Sequence, residues 1–244
     1  MASIFIGVPR SRIDPAFGAS LFTFRKEIEK VHRVESHFVY GKGRDEAREL
    51  LVDAFLDGDC EYLLFLDDDH TGHKPEMLQA LIDSGAAVCA LKCYARYFPF
   101  QCTLMTIDRV NRIYFADDTR RGYLKCNLVG FGMTLIRRDL FEVIDKPYFK
   151  CNKDGEREDN YFCEKLEKAG ILPVGCFDYV LPHCGIDDSN IDEKRDEGLK
   201  ILVKEQQKER VMKSIREFGE YEEHLNENER EALRIIRQNF KEEN

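Results

Sequence analysis

Apolar runs alternate with helix-like patterns through the first hundred residues of this chain. Four short segments are rich in apolar, β-branched and aromatic residues and mostly lack alternation, as in strands covered on both faces. They are residues 4–9, 37–40, 61–67 and 86–93. Three intervening segments place apolar residues at helical spacing. They are residues 19–32 (approximately), 44–58 and 74–85. This alternation of strands and helices predicts a parallel α/β sheet.

The pattern changes in the second half of the chain. Between 100 and 137 the apolar runs are short and separated by turn-forming residues, which indicates antiparallel strands. Residues 132–144 predict a strand and then a helix, and residues 158–170 predict a helix. Residues 171–183 predict a last strand. The expected fold class is therefore α/β, with a mixed sheet flanked by helices.

Composition divides the chain near residue 190. Residues 1–190 form the predicted α/β domain, whereas residues 191–244 are about half charged, with both signs interleaved. Apolar residues recur in this second segment as a narrow helical stripe. The stripe predicts a helical extension that packs on its own domain. The alternative is an oligomerisation helix that pairs with a second copy of the chain.

Charge and cysteine content narrow the class of protein. The formal net charge is −9, so the overall field gives no affinity for nucleic acid. No run of about 18 apolar residues is present, so no membrane span is expected. The first residues lack the pattern of a secretory signal peptide. Nine cysteines without a CxxC pair favour reduced, mostly buried thiols. We therefore expect a cytoplasmic protein.

The segment LLFLDDDH, residues 63–70, carries the strongest chemical signal. A buried strand ends in three aspartates, and ligands of parallel sheets bind outside the carboxyl ends of strands. Side chains of an extended segment alternate, so Asp67 and Asp69 are expected on one side and Asp68 on the other. Paired carboxylates are oxygen ligands suited to Mg²⁺ or Mn²⁺. The alternative is a solvated acidic turn.

This segment resembles the D-x-D motif of glycosyltransferases with the GT-A fold, especially those of the family 2 type. The resemblance covers residues 1–187 approximately and implies a Rossmann-like fold that binds a nucleotide-sugar. It also implies that Asp67 and Asp69 hold the cation on the diphosphate, with Asp68 nearby. The later segment LPHCG is similar to the family's C-terminal metal histidine, which would be His183. His70 and His73 compete for this role, but their polar surroundings favour a solvated loop.

Two further segments strengthen the resemblance. GEREDNYFCEKLEKAG is similar to the family's acidic pair at the start of a helix, which implies Asp159 as the catalytic base beside Glu158. The alternative is that both acids only cap the helix. NLVGFGMTL resembles the Gly-aromatic-Gly strand near the donor sugar, which implies Gly130 and Gly132. A bulge in a buried strand is the alternative there.

The resemblance also assigns residues near the amino terminus to the donor. The segment IFIGVPRSR fits the first strand and nucleotide-binding loop, where Pro9 and Arg10 or Arg12 would meet the nucleotide. Arg48 is similar to an arginine that approaches the diphosphate, although Glu49 replaces the asparagine that usually follows it.

The sequence thus predicts a metal-dependent hexosyltransferase that acts with inversion on a glycan, lipid or protein acceptor. One rival is a sugar-phosphate nucleotidyltransferase, but the expected Gly-rich phosphate loop with a lysine is absent from GVPRSRIDP. The other is a binding or assembly protein with a vestigial pocket.

Overall fold

A computed structural model describes residues 1–10, 14–94, 102–108, 113–115, 120–151 and 157–183. The helical extension predicted for residues 191–244, the domain boundary at 190 and Arg12 lie outside these residues. Nine strands are described: β1 (Ser3–Arg10), β2 (Arg33–Tyr40), β3 (Tyr62–Leu66), β4 (Val88–Lys92), β5 (Thr106–Asp108), β6 (Ile113–Phe115), β7 (Tyr123–Lys125), β8 (Met133–Arg137) and β9 (Val174–Val180). Four α-helices accompany them: α1 (Pro15–Ile28), α2 (Arg44–Asp57), α3 (Pro75–Asp83) and α4 (Glu158–Lys168).

Seven strands form one mixed sheet in the order β2-β1-β3-β8-β4-β9-β7. β1 pairs in parallel with β2 and β3, and β4 pairs in parallel with β9. β8 runs antiparallel between β3 and β4, and β7 runs antiparallel to β9. The predicted class, α/β with a mixed sheet flanked by helices, is confirmed. The parallel ladder expected from the first half is interrupted, because β8 separates β3 from β4.

Burial explains the continuous apolar runs. The side chains of β3 from Leu63 to Leu66 and those of β4 are buried, as expected for strands covered on both faces. One face packs on α1 and α3 through an apolar core. On the other face the Phe65 ring contacts Phe131, and Phe131 contacts Phe162 of α4. These ring contacts hold α4 against the sheet.

The first helix begins earlier than its apolar pattern indicates. The predicted segment 19–32 corresponds to α1, which begins at Pro15 and ends at Ile28. Asp14 is the N-cap, and its carboxylate accepts hydrogen bonds from the backbone N–H groups of Ala16 and Phe17. A capping aspartate followed by proline is a start signal that outweighs the apolar spacing.

Other predictions concern the thiols, the late elements and membrane insertion. Of the described cysteines only Cys151 is exposed, and the others are buried free thiols, as predicted. Residues 132–144 contain β8 and then a 3-10 helix, Arg138–Glu142. The antiparallel strands expected between 100 and 137 are confirmed by the β5–β6 pair and by β7. Among the described residues, none of the helices has the length and apolar character needed to cross a membrane.

Candidate functional site

The carboxyl ends of four strands meet at one edge of the sheet. β1, β3, β4 and β9 run in the same direction, so their last residues and the first residues of β8 surround the same space. A cleft of about 260 Å³ opens there. It is lined by these predicted site residues, all within the described part of the chain: Pro9, Arg10, Arg48, Asp67, Asp68, Asp69, Gly130, Gly132, Glu158, Asp159 and His183.

A group of potential metal ligands lies in this cleft. Asp69, His70 and His183 each offer one ligand atom, and these atoms lie within 4.8 Å of one another. The Nδ1 atom of His70 is 2.9 Å from Oδ1 of Asp69. The imidazole rings of His70 and His183 lie 4.0 Å apart between centroids. One carboxylate and two imidazoles are a donor set that binds divalent transition metals.

Backbone pairing between two loops brings these side chains together. His70 and His183 form an antiparallel β-bridge, and the N–H of Thr71 donates to the carbonyl of Pro182 at 3.0 Å. The loop after β3 is thereby joined to the loop after β9. Gly132, at the start of β8, provides the space for the His70 ring, since a Cβ atom there would lie 2.9 Å from Nε2 of His70. This close approach is the physical reason for glycine in the predicted Gly-aromatic-Gly segment.

The prediction that His70 and His73 belong to a solvated loop is wrong. Their exposed fractions are 4% and 7%, respectively. The His73 ring contacts Phe17 and Phe24, and its Nδ1 lies 2.8 Å from Oγ of Ser20. Burial lowers the pKa of His73 to about 3, so this imidazole stays neutral. Polar neighbours in sequence misled the prediction, because the chain turns both rings inward.

His70 differs from His73 in the charge beside it. Burial disfavours protonation of both imidazoles, but contact with Asp69 and with the Cys93 thiol raises the pKa of His70 to about 10. The pocket around His70 therefore favours a positive charge in the same position where a metal ion would lie. The sequence signal for His70 was its place directly after the three aspartates at the end of a buried strand.

Asp67 turns toward a buried guanidinium. Its Oδ1 accepts a hydrogen bond from Nη2 of Arg48 at 2.8 Å. Burial raises the pKa of Asp67 above its ordinary value, whereas the neighbouring Arg48 opposes that rise. The described ligand group therefore contains Asp69 but not Asp67. The assignment of Asp67 as a second metal carboxylate stays a prediction. Asp68 is buried and lines the same cleft.

Arg48 joins the two acidic parts of the site. Only 2% of its surface is exposed, and its Nη2 also lies 3.5 Å from Oε1 of Glu158. Its guanidinium stands over the rings of Phe131 and Phe65, at 4.6 and 5.1 Å. Glu49, at the position of the usual asparagine, accepts a hydrogen bond from the backbone N–H of Phe149 at 2.6 Å. The departure from the family's pattern thus has a structural use.

Asp159 lies in the first turn of α4, at the edge of the cleft. Its Oδ1 accepts a hydrogen bond from the N–H of the next residue, Asn160, at 2.9 Å, whereas the N-cap residue of α4 is Arg157 and makes no side-chain capping bond. Burial and the adjacent Glu158 carboxylate raise the pKa of Asp159 above its ordinary value. A carboxylate with a raised pKa is a stronger base, which suits proton abstraction from a hydroxyl group.

Cationic side chains surround the mouth of the cleft. Arg10 extends from the end of β1, where its Nη1 donates to the Tyr40 hydroxyl at 2.7 Å. Lys42, Arg44 and Arg157 also line the cleft and were not predicted from the sequence. Their signal was weak, since each belongs to a loop or a helix start without a recognised motif. The site therefore combines an acidic floor with a basic rim, as an anionic substrate that binds with a cation requires.

Gly130 allows a second close approach. A Cβ atom at this position would lie 2.8 Å from Cβ of Thr103, and the Gly130 carbonyl accepts a hydrogen bond from Thr134 Oγ1. Thr103 lines the cleft and lies 2.9 Å from the Cys93 sulfur. The lack of a side chain at Gly130 therefore allows its backbone to pack closely against Thr103. The sequence offered a bulge in a buried strand as the alternative, but Gly130 and Gly132 both precede β8, which begins at Met133.

Comparisons with known proteins support the fold. No family model and no curated protein matches this chain. A crystal structure of A197 from STIV is similar, with a TM-score of 0.54, 19% identity, and coverage of 77% of this chain and 87% of that one. At this identity the similarity concerns the fold alone.

Weaker structural similarities accompany it. A provisionally assigned nucleotide-diphospho-sugar transferase from Desulfovibrio desulfuricans G20 has a TM-score of 0.42 and 10% identity, over 74% of this chain and 82% of that one. CMP:2-keto-3-deoxy-manno-octonic acid synthetase complexed with CTP has a TM-score of 0.42 and 11% identity, over 83% and 99%. These scores are too low to support an argument about function, so the proposal below rests on the site.

Proposed function

We propose that this protein is a metal-dependent glycosyltransferase that moves a sugar from a nucleotide-sugar to an acceptor hydroxyl with inversion. One observation carries the proposal: a metal-ligand group and a basic carboxylate, Asp159, line the same cleft at the carboxyl edge of the sheet. Glycosyl transfer from a nucleotide-sugar needs both chemistries at once. It needs charge neutralisation for a departing diphosphate and a base for the attacking hydroxyl.

The donor would bind with its diphosphate between the metal group and the basic rim. Asp69 and His183 would hold the cation, which would supply positive charge to the leaving diphosphate. Arg10 and Arg44 lie at the rim and offer further positive charge to the phosphates. Arg48 lies beside both Asp67 and Glu158 and offsets one of their two negative charges, so the floor of the cleft repels an anionic donor less than it would without the arginine.

Asp159 would take the proton of the acceptor hydroxyl. As the oxygen–hydrogen bond breaks, the acceptor oxygen forms a bond to the anomeric carbon. The bond from that carbon to the diphosphate oxygen breaks, and the nucleoside diphosphate leaves with the electron pair. A single base on the face opposite the leaving group gives inversion of configuration. The donor nucleotide-sugar and the acceptor, whether glycan, lipid or protein, are then the only substrates required.

Turnover of nucleotide-sugars tests this function. We expect the full-length protein to hydrolyse at least one member of a nucleotide-sugar panel slowly in the presence of Mn²⁺, because water can replace the acceptor. Release of the nucleoside diphosphate and free sugar would support the proposal, and chelation of the metal should stop it. Formation of a nucleotide-sugar from a nucleoside triphosphate and a sugar phosphate, with release of pyrophosphate, would favour the nucleotidyltransferase. Absence of either reaction across the panel would favour a binding protein.

A further inference from the structure

We infer that His70 is a protein ligand of the metal and that Asp69, His70 and His183 together select a transition-metal ion over Mg²⁺. The inference rests on the proposed function only for the use of the ion, because metal binding can be measured without any sugar. It changes the predicted ligand set, in which two carboxylates faced the cation. It replaces the predicted set of two carboxylates and one imidazole (Asp67, Asp69 and His183) by a set of one carboxylate and two imidazoles.

The distances fit a shared ion. Neighbouring ligand atoms in an octahedral sphere with bonds of about 2.1 Å lie about 3 Å apart. Nδ1 of His70 and Oδ1 of Asp69 are separated by 2.9 Å. The ring of His183 lies 4.0 Å from that of His70, and one ligand atom of each residue falls within the same 4.8 Å. No side chain has to move to another part of the cleft for all three to bind one cation.

The burial of His70 points to the same conclusion. Among the described residues, Nδ1 of the ring faces the Asp69 carboxylate at 2.9 Å without regular hydrogen-bond geometry, and Nε2 has no hydrogen bond of regular geometry. Buried polar atoms in native proteins nearly always form well-aligned hydrogen bonds, so a buried imidazole held in this way beside a carboxylate indicates a ligand that both groups bind. Gly132 and the Cys93 sulfur border the Nε2 side of the ring, whereas Asp69 borders the Nδ1 side. A cation bound at Nδ1 therefore also lies against the carboxylate.

Arg48 explains why the set contains one carboxylate rather than two. It holds Oδ1 of Asp67 at 2.8 Å from inside the protein. Asp67 thus already has a full positive charge beside it, which weakens its attraction for a second cation. Imidazole suits zinc, iron and nickel, whereas a set of carboxylates and water suits Mg²⁺. Affinity for a site with nitrogen ligands also rises from Mn²⁺ to Co²⁺ along the first transition row.

Metal titration of two matched variants tests the role of His70. We expect His70→Gln to weaken Mn²⁺ and Co²⁺ binding by about 10²-fold or more, since even outer partners of ligands change affinity by about 10–100-fold. His73→Gln is the control, because His73 is buried in the same loop but bonds to Ser20 and lies outside the ligand group. Its metal affinity should equal that of the wild type. Equal loss in both variants would overturn the inference.

Selectivity and spectroscopy keep the inference falsifiable if His70→Gln is poorly folded. Wild-type protein should bind Co²⁺ at least about tenfold more tightly than Mg²⁺. Pulsed electron paramagnetic resonance of bound Mn²⁺ should show couplings from two imidazole nitrogens, and from one in His70→Gln. A single coupled nitrogen in the wild type, or a preference for Mg²⁺, would overturn the inference. Two nitrogens without any sugar transfer would instead reject the proposed function and leave the metal site standing.

Discussion

Two acidic groups face each other across the same cleft, and their neighbours give them different chemistry. The group after β3 contains Asp69, which lies beside two imidazoles. The group at the start of α4 contains Asp159, which does not belong to the metal-ligand group. Asp159 lies at the amino terminus of the helix, beside Glu158. The first arrangement binds a cation, and the second holds a carboxylate with a raised pKa. Residue type alone does not separate the two roles.

Arg48 connects the groups and keeps them distinct. One guanidinium nitrogen lies 2.8 Å from Asp67 and 3.5 Å from Glu158. These two carboxylates thereby share one positive charge from inside the protein, whereas Asp69 and Asp159 remain for the substrate side of the cleft. The comparison shows that the role of each acid depends on whether it forms an ion pair with the buried Arg48. The predictions below test this division, beginning with the largest expected effect.

Of the substitutions that test this division, removal of the buried Arg48 guanidinium should destabilise the fold most. Arg48→Met removes the positive charge beside the carboxylates of Asp67 and Glu158, and breaking a buried ion pair costs about 3–5 kcal/mol. Arg44→Met is the matched control, since Arg44 is an exposed cation on the same helix and should change stability by less than about 0.5 kcal/mol. Urea unfolding of both variants measures the difference. Equal stability of the two variants would show that Arg48 does not bridge the groups.

Neutralising Asp159 should slow transfer without weakening metal binding. Asp159→Asn keeps the side-chain volume and an oxygen for the first turn of α4, but it removes the base. We expect the transfer rate to fall by about 10²-fold or more, or about 2.7 kcal/mol in the barrier. Glu164→Gln, an exposed change on the same helix, should leave the rate unchanged. Near-normal transfer by folded Asp159→Asn would reduce Asp159 to a helix cap.

A methyl group at Gly132 should disturb the metal-ligand group by displacing the His70 ring. In Gly132→Ala the new Cβ would lie 2.9 Å from the His70 ring, so the ring or the start of β8 must move. Overpacking of this kind costs about 1–3 kcal/mol. We expect weaker Mn²⁺ binding, whereas the contribution of Asp159 to the pH dependence of stability should be unchanged. Gly18→Ala is the control, since a Cβ there meets no atom within 4 Å. Metal binding by Gly132→Ala as tight as that of the wild type would mean that the His70 ring accommodates the added methyl group without leaving its position.

The smallest expected effect is on the pH dependence of stability. The pKa of Asp159 is raised in the folded protein above its ordinary value of 3.8. Between these two pKa values the folded state binds more protons than the unfolded state, so stability falls as the pH rises through that window. Asp159→Asn removes this contribution and should be relatively more stable at neutral pH. Unfolding measured over a pH series gives the difference, and parallel curves for the two proteins would contradict it.

Local sequence patterns predict some of this division and miss the rest for a physical reason. Asp69 was predictable because a buried apolar strand ends directly in the aspartates, and Asp159 because an acidic pair precedes an amphipathic helix. The contacts of Arg48 were not predictable, since they join residues 19 and 110 positions apart in the chain. His70 was misassigned because its neighbours in sequence are polar. Its burial depends on a bridge to His183 and on the space left by Gly132.

Metal-dependent donor binding tests the central claim most directly. The melting temperature of wild-type protein and of Asp69→Ala would be measured with each of a panel of nucleotide-sugars, in the presence and absence of Mn²⁺. A ligand that binds only the folded state raises the melting temperature, and the shift grows with the logarithm of the ratio of ligand concentration to Kd. We predict that at least one nucleotide-sugar stabilises the wild type only when Mn²⁺ is present, and that Asp69→Ala loses this effect while remaining folded. Stabilisation of equal size without the metal, or in Asp69→Ala, would contradict the assignment of the group after β3 as the metal site.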